Sequence, residues 1–146
     1  HETLVHAADA QLAAGQPPDL PAEVAADAID EWLTEVSGPI MGRPDPRAAG
    51  LPPGKVLQVS ATDAGLDGAA QWRVSHQPGG VTAERGSGAD ERAADAADLA
   101  LSGPAAGLLL LLTRRVSVAD ATAGPDPVTV SGDQALLAQW LAETIF

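Results

Sequence analysis

Apolar residues recur at helical spacing in two segments near the start of the chain. In residues 2–14 they fall roughly on one side and Gly15 follows, which predicts a first helix. The prolines of residues 16–20 exclude helix and indicate a linker. From Pro21 to Val36 the helical spacing returns, so a second helix is predicted. Its opposite face is acidic and is expected to be solvated: Asp27, Asp30, Glu31 and Glu35.

Alternation of apolar and polar residues then takes the place of helical spacing. Residues 55–62, 71–76 and 81–84 alternate and are separated by turn-forming stretches. We therefore predict three half-buried strands that form an antiparallel meander.

The last third of the chain mixes both patterns. Residues 98–102 and 128–130 are predicted strands, and residues 104–112 between them are predicted to form a helix buried nearly all round. A Gly/Pro/Asp-rich loop is expected after that helix, and a last helix is predicted to start at Gly132 and Asp133. This order of elements predicts an α+β fold.

Composition narrows the classes of function. The 146 residues suit one compact domain, and the absence of cysteine excludes disulfides, thiolate catalysis and Cys-based zinc sites. A formal net charge of −12 repels phosphates and anionic lipids, so neither nucleic acid nor a membrane is an expected partner. The longest apolar run, residues 108–112, is far below the ~20 residues that span a bilayer. No signal-peptide pattern is visible, so a cytoplasmic protein is expected.

The first residue also bears on whether the chain is an intact translation product. The chain starts at His1 and its only methionine is Met41. We therefore expect that it is not an intact translation product and that a native segment lies upstream.

Four segments in order are similar to the C-terminal part of the mycothiol-dependent maleylpyruvate isomerase family: residues 1–10, 25–31, 98–115 and 128–141. The resemblance implies that residues 1–15 are the remnant of the last helix of an N-terminal, DinB-type metal-binding domain, followed by a linker at 16–20. Residues 21–146 would then form a sterol-carrier-like α+β domain. Its implied architecture is a curved antiparallel sheet of about five strands with packed helices.

The family holds a divalent metal, usually zinc, with one histidine and a later Glu-x-x-x-His pair, which Glu2 and His6 match. Residues four apart on a helix share a face, so this carboxylate and imidazole can reach one cation. Asp9 could orient the imidazole. Spacing alone is weak evidence, because Glu and His fall four apart by chance in many helices. The family's remaining histidine would lie upstream, and two ligands on a frayed helix bind a metal weakly.

Arg114 and Arg115 admit two interpretations. Arginines after a helix complement its negative C-terminal end. The resemblance instead implies a catalytic arginine near the metal, with Arg115 as the candidate to reach a carboxylate of the substrate or of a mycothiol-type thiol cofactor. The family usually has Trp-Gly-Arg where this chain has Thr113-Arg114-Arg115. It also often has Arg at position 7 and Gly at position 28, where this chain has alanine, so the substrate and the thiol stay open.

Three hypotheses about function follow. In the first, the chain forms one wall of the active-site cleft of a metal-dependent isomerase or transferase that uses a thiol and acts on small molecules. The chain alone is then inactive. In the second, it is a sterol-carrier-like module that binds an apolar small molecule in a cavity lined by tryptophans, which otherwise pack in the core. In the third, it is an interaction domain that has lost its N-terminal helical partner and self-associates into a homo-oligomer. The tryptophans are Trp32, Trp72 and Trp140.

Overall fold

A computed structural model of the chain describes residues 1–36, 50–66, 70–78, 80–86 and 97–144, apart from the side chains of Glu2, Glu35 and Val36. Five helices lie in these ranges: α1 Glu2–Ala13, α2 Ala22–Glu31, α3 Ala105–Leu112, α4 Val118–Ala123 and α5 Gln134–Glu143. A π-helical turn, Trp32–Val36, continues α2. The strands are β1 Val56–Ala61, β2 Gln71–Gln77, β3 Gly80–Gly86, β4 Leu99–Gly103 and β5 Thr129–Gly132.

The five strands form one sheet in the order β3-β2-β1-β4-β5. The predicted meander of β1, β2 and β3 is confirmed, as are the α+β class and the number of strands. The expectation of an antiparallel sheet is wrong in one ladder, because β1 and β4 run parallel, with Leu57 opposite Leu99. The residues that precede these two strands form a salt bridge.

Asp98 precedes β4 and joins it to the start of β1. One carboxylate oxygen lies 2.6 Å from Lys55 Nζ, and the other accepts a hydrogen bond of 2.9 Å from the Val56 amide. The Asp98 amide donates to the Val56 carbonyl at 3.0 Å. Lys55 and Asp98 both stand at the N-terminal ends of their strands, so these bonds are compatible with the parallel ladder. The hydrogen bonds from Lys55 and from the Val56 amide lower the pKa of Asp98.

The core lies between the helices and the sheet. Trp72 on β2 and Trp140 on α5 are fully buried, and α2 packs against α3. The prediction that α3 is buried nearly all round is confirmed, since all five of its leucines are buried. Each such leucine stabilises the fold by about 1.5–3 kcal/mol relative to an exposed one. Within the described ranges, no helix has the length and hydropathy to cross a bilayer.

The sequence interpretation missed one helix. Residues 118–123 lie in the stretch where a Gly/Pro/Asp-rich loop is expected, yet they form α4. Its start is capped by Ser117, whose hydroxyl oxygen accepts a hydrogen bond of 3.1 Å from the Asp120 amide. A Ser-x-x-Asp sequence is a helix N-terminal signal, so the information was present.

Gly132, at the end of β5, has a φ of +89°, a conformation that L residues rarely adopt. A Cβ at this position would overlap with the carbonyl oxygen of Asp98. We predict that Gly132→Ala lowers the free energy of unfolding by about 3 kcal/mol, measured by urea denaturation. Gly124→Ala is the matched control, because Gly124 has a φ of −71° and no atom near the new Cβ. Equal effects at the two positions would contradict the prediction.

The lowered pKa of Asp98 predicts an acid-dependent loss of stability. Its contribution is complete above the pKa of an unfolded aspartate, ~3.9, and is lost as the pH falls through the lower folded value. We expect the urea midpoint of the wild-type protein to fall more steeply between about pH 4 and pH 2 than that of Asp98→Asn. Asp126→Asn, at an exposed aspartate, serves as the control and should keep the wild-type slope.

Candidate functional site

The buried helix α3 ends in a tight turn that brings two arginines to the surface. The amide of Arg115 donates to the Leu110 carbonyl at 2.8 Å, and the amide of Arg114 donates to the Leu111 carbonyl at 3.0 Å. This pair of bonds is a Schellman motif, in which the residue after the C-cap takes the left-handed conformation. Arg114 occupies that position with a φ of +59°. Glycine is the residue that this turn favours.

Arg115, the candidate catalytic residue, is held by two hydrogen bonds. Its Nε lies 3.2 Å from Oδ1 of Asp9 on α1, and its Nη1 donates to the Thr113 carbonyl at 2.8 Å. Its side chain is 21% exposed. The bond to Asp9 joins α1 to the end of α3 across a separation of 106 residues. Arg115 is therefore ion-paired, with part of its guanidinium still available to a ligand.

Asp9 also faces the candidate metal ligand on its own helix. Its Oδ2 lies 3.5 Å from His6 Nδ1, which is longer than an ordinary hydrogen bond. The His6 side chain is 74% exposed. Asp9 thus lies between His6 and Arg115, and its contact with Arg115 is one that the sequence does not predict. The structure does not describe the side chain of Glu2, the other candidate ligand.

An open hollow of about 620 Å³ lies at this junction of α1 with the end of α3. Asp9 and Arg115 line it, and both take part in the contact just described. Its remaining lining residues are Leu12, Thr113 and Arg114. The hollow is large enough for a small ligand and has charged groups of both signs on its wall.

The described residues do not complete a metal site. Zinc is held by three or four protein ligands, whereas this region offers the His6 imidazole, with Asp9 placed to orient it. Within the described part of the chain, no three His, Cys, Asp or Glu side chains are arranged to hold a metal ion. A metal at this place would need further ligands.

The acidic face of α2 is less solvated than expected. Asp27 and Glu31 both contact the His1 ring, and the distance from Asp27 Oδ2 to His1 Nε2 is 3.0 Å. Asp30 accepts a hydrogen bond of 2.8 Å from the indole N–H of the buried Trp72. The prediction of a purely solvated face is therefore wrong at Asp30. Helical spacing alone could not show this partner, because Trp72 lies 42 residues away.

The tryptophans bear on the binding-module hypothesis. Trp32, Trp72 and Trp140 are 5%, 0% and 0% exposed and belong to the same packed core as α3. Two further hollows lie elsewhere, one beside α4, β5 and α5 and one beside α2 and Arg85. Neither these two nor the hollow at Arg115 is lined by a tryptophan or by α3. The tryptophans thus act as core residues in the fold.

Comparisons with known proteins agree with this architecture. The sequence model of a family described as the MDMPI C-terminal domain matches residues 23–139. A solved structure described as a UbiJ-SCP2 ubiquinone synthesis protein matches with a TM-score of 0.52 and 20% identity, over 84% of this chain and 94% of that one. At this identity the likeness shows the fold alone, which is sterol-carrier-like. None of the curated proteins is similar enough in sequence to match.

The left-handed conformation of Arg114 predicts that glycine stabilises the fold here. We expect Arg114→Gly to raise the free energy of unfolding by about 1 kcal/mol, because an L residue is strained at this φ. Arg114→Ala is the matched control, since it removes the same side chain and keeps the strain. Urea denaturation of both variants isolates the backbone effect. The prediction fails if Arg114→Gly is no more stable than Arg114→Ala.

Proposed function

This chain belongs to the family of MDMPI C-terminal domains, and on that premise we propose that it works as one domain of a metal-dependent isomerase or transferase that uses a mycothiol-type thiol. The match confirms the family that the sequence resembles. In the proposal the domain walls one side of the active-site cleft and is not catalytic alone. The substrate is a small electrophilic molecule.

One observation carries the proposal. Asp9 contacts both the candidate metal ligand His6 and the candidate catalytic Arg115, and Asp9 and Arg115 line the hollow. His6 and Arg115 lie more than a hundred residues apart in the sequence. A helix that contributes to a metal site and an arginine that binds an anion have to meet if both serve one active site.

Each residue has a distinct part in the proposed site. Arg115 reaches a carboxylate of the substrate or thiol cofactor with the N–H groups that Asp9 and Thr113 leave free. His6 and Glu2 supply two metal ligands in the whole protein, and an N-terminal helical domain supplies the others. Asp9 keeps the His6 ring in place. A bound divalent metal, zinc in this proposal, would stabilise the thiolate or polarise a carbonyl group.

The same proposal divides the chain into three segments. Residues 1–15 form the last helix of the N-terminal metal-binding domain, residues 16–20 are the linker, and residues 21–146 are the C-terminal domain. Among the described residues, the first helix and His1 contact the rest at few places, chiefly the buried Ala8, Leu4 against the core, the pair of Asp9 with Arg115 and the bonds of His1 to α2. Such limited contact suits a helix whose main packing is with another domain.

Zinc binding by the whole protein, with its upstream segment, tests this proposal. We expect one zinc ion per chain, with affinity lowered more than 100-fold in His6→Ala, which loses a ligand, and about 10- to 100-fold in Asp9→Asn. Equilibrium dialysis against a zinc-buffered solution measures both.

His76→Gln provides the control for general loss of histidine. His76 lies on β2, where a ring nitrogen contacts the Leu51 carbonyl, and it should bind zinc as the wild type does. A whole protein that binds no zinc, or a His6→Ala variant with wild-type affinity, would overturn the proposed metal site.

A further inference from the structure

Arg114 combines backbone strain with a place on the wall of the hollow. It is the one non-glycine residue with positive φ among the residues that the structure describes. Its side chain lines the same hollow as Arg115. A strained residue persists where its surroundings or its function hold it there, and such residues concentrate at ligand sites. The presence of an arginine side chain at this strained position therefore points to a role at the hollow.

The charges around the hollow show what this side chain adds. Asp9 and Arg115 form an ion pair, so their charges cancel. Arg114 is exposed and forms no ion pair with the residues that the structure describes. Of the charged residues that line the hollow, Arg114 alone is uncompensated, and it makes the hollow cationic. This is a local exception in a chain with a net charge of −12.

The negative end of α3 is already neutralised in part by the turn that follows it. The carbonyls of Leu110 and Leu111 accept the amides of Arg115 and Arg114, and the Thr113 carbonyl accepts Arg115 Nη1. Bonded carbonyls repel an approaching anion less than free ones do. The cationic side chain can therefore act on a ligand without an opposing row of open carbonyls.

We propose that Arg114 is a ligand-binding residue that holds an oxyanion, either a carboxylate or a phosphate group of a small ligand, in the hollow beside Arg115. The free N–H groups of the two guanidinium groups donate to the same anion while Asp9 keeps Arg115 in position. This inference deepens the proposed function by naming a second anion-binding arginine. It does not need the metal, so the two can fail independently.

A purely structural role is the competing explanation. Arg114 Nη1 lies 3.3 Å from the Leu141 carbonyl, in the last turn of α5, and could serve only to cap that helix. Capping predicts that loss of the side chain costs stability and leaves anion affinity unchanged. Ligand binding predicts the reverse for Arg114→Gly, which relieves the strain and loses the anion.

The test is an NMR titration of this chain with succinate and with inorganic phosphate, at constant ionic strength. The amide signals of residues 9–12 and 113–116 report binding at the hollow. We expect saturable shifts in the wild type with at least one of the two anions, and affinity lowered about tenfold in both Arg114→Gly and Arg114→Ala. Arg114→Lys, which keeps the charge, should retain part of the affinity.

The two probes separate the sources of the anion. Tighter binding of succinate assigns the site to a carboxylate, and tighter binding of phosphate assigns it to a phosphate group. Wild-type affinity in Arg114→Gly would overturn the inference, as would the absence of saturable shifts in the wild type with either anion. This titration does not test the zinc affinity of the whole protein, so a negative result leaves the proposed metal site standing.

Discussion

The burial of α3 on nearly all sides is the constraint on which the rest of the structure depends. Five consecutive leucines leave no polar face, so the helix has to lie between α2 and the sheet. A helix enclosed in this way must end where the chain can reach water again. That point is the turn at Thr113, Arg114 and Arg115, and the hollow lies there. The position of the candidate site is thus a consequence of core packing.

The sequence predicted the helices and strands better than it predicted which strands pair. Alternation identified the meander of β1 to β3, and the leucine run identified α3, because each pattern is local. The parallel ladder of β1 and β4 could not be predicted in this way. The contacts at its start, from Asp98 to Lys55 and Val56, join positions more than forty residues apart, and no periodic pattern signals them.

The same distinction applies to the site. His6 and Arg115 could be singled out in advance from helical spacing and from family resemblance. That Asp9 lies between them could not, because the contact joins positions 106 residues apart. From the sequence, Arg114 has only the role of a charge that complements a helix end. Its left-handed φ appears only in the structure.

Arg114 also shows how stability and function can oppose each other at one residue. A glycine would fit the turn better, and arginine there keeps strain that the fold does not need. Without it, the charges lining the hollow would sum to zero, because Asp9 neutralises Arg115. In a chain with 20 acidic and 8 basic residues, an anionic ligand is otherwise repelled from most of the surface. A strained cation on the wall of the hollow is a direct way to attract one, and its cost in stability is small beside the burial of α3.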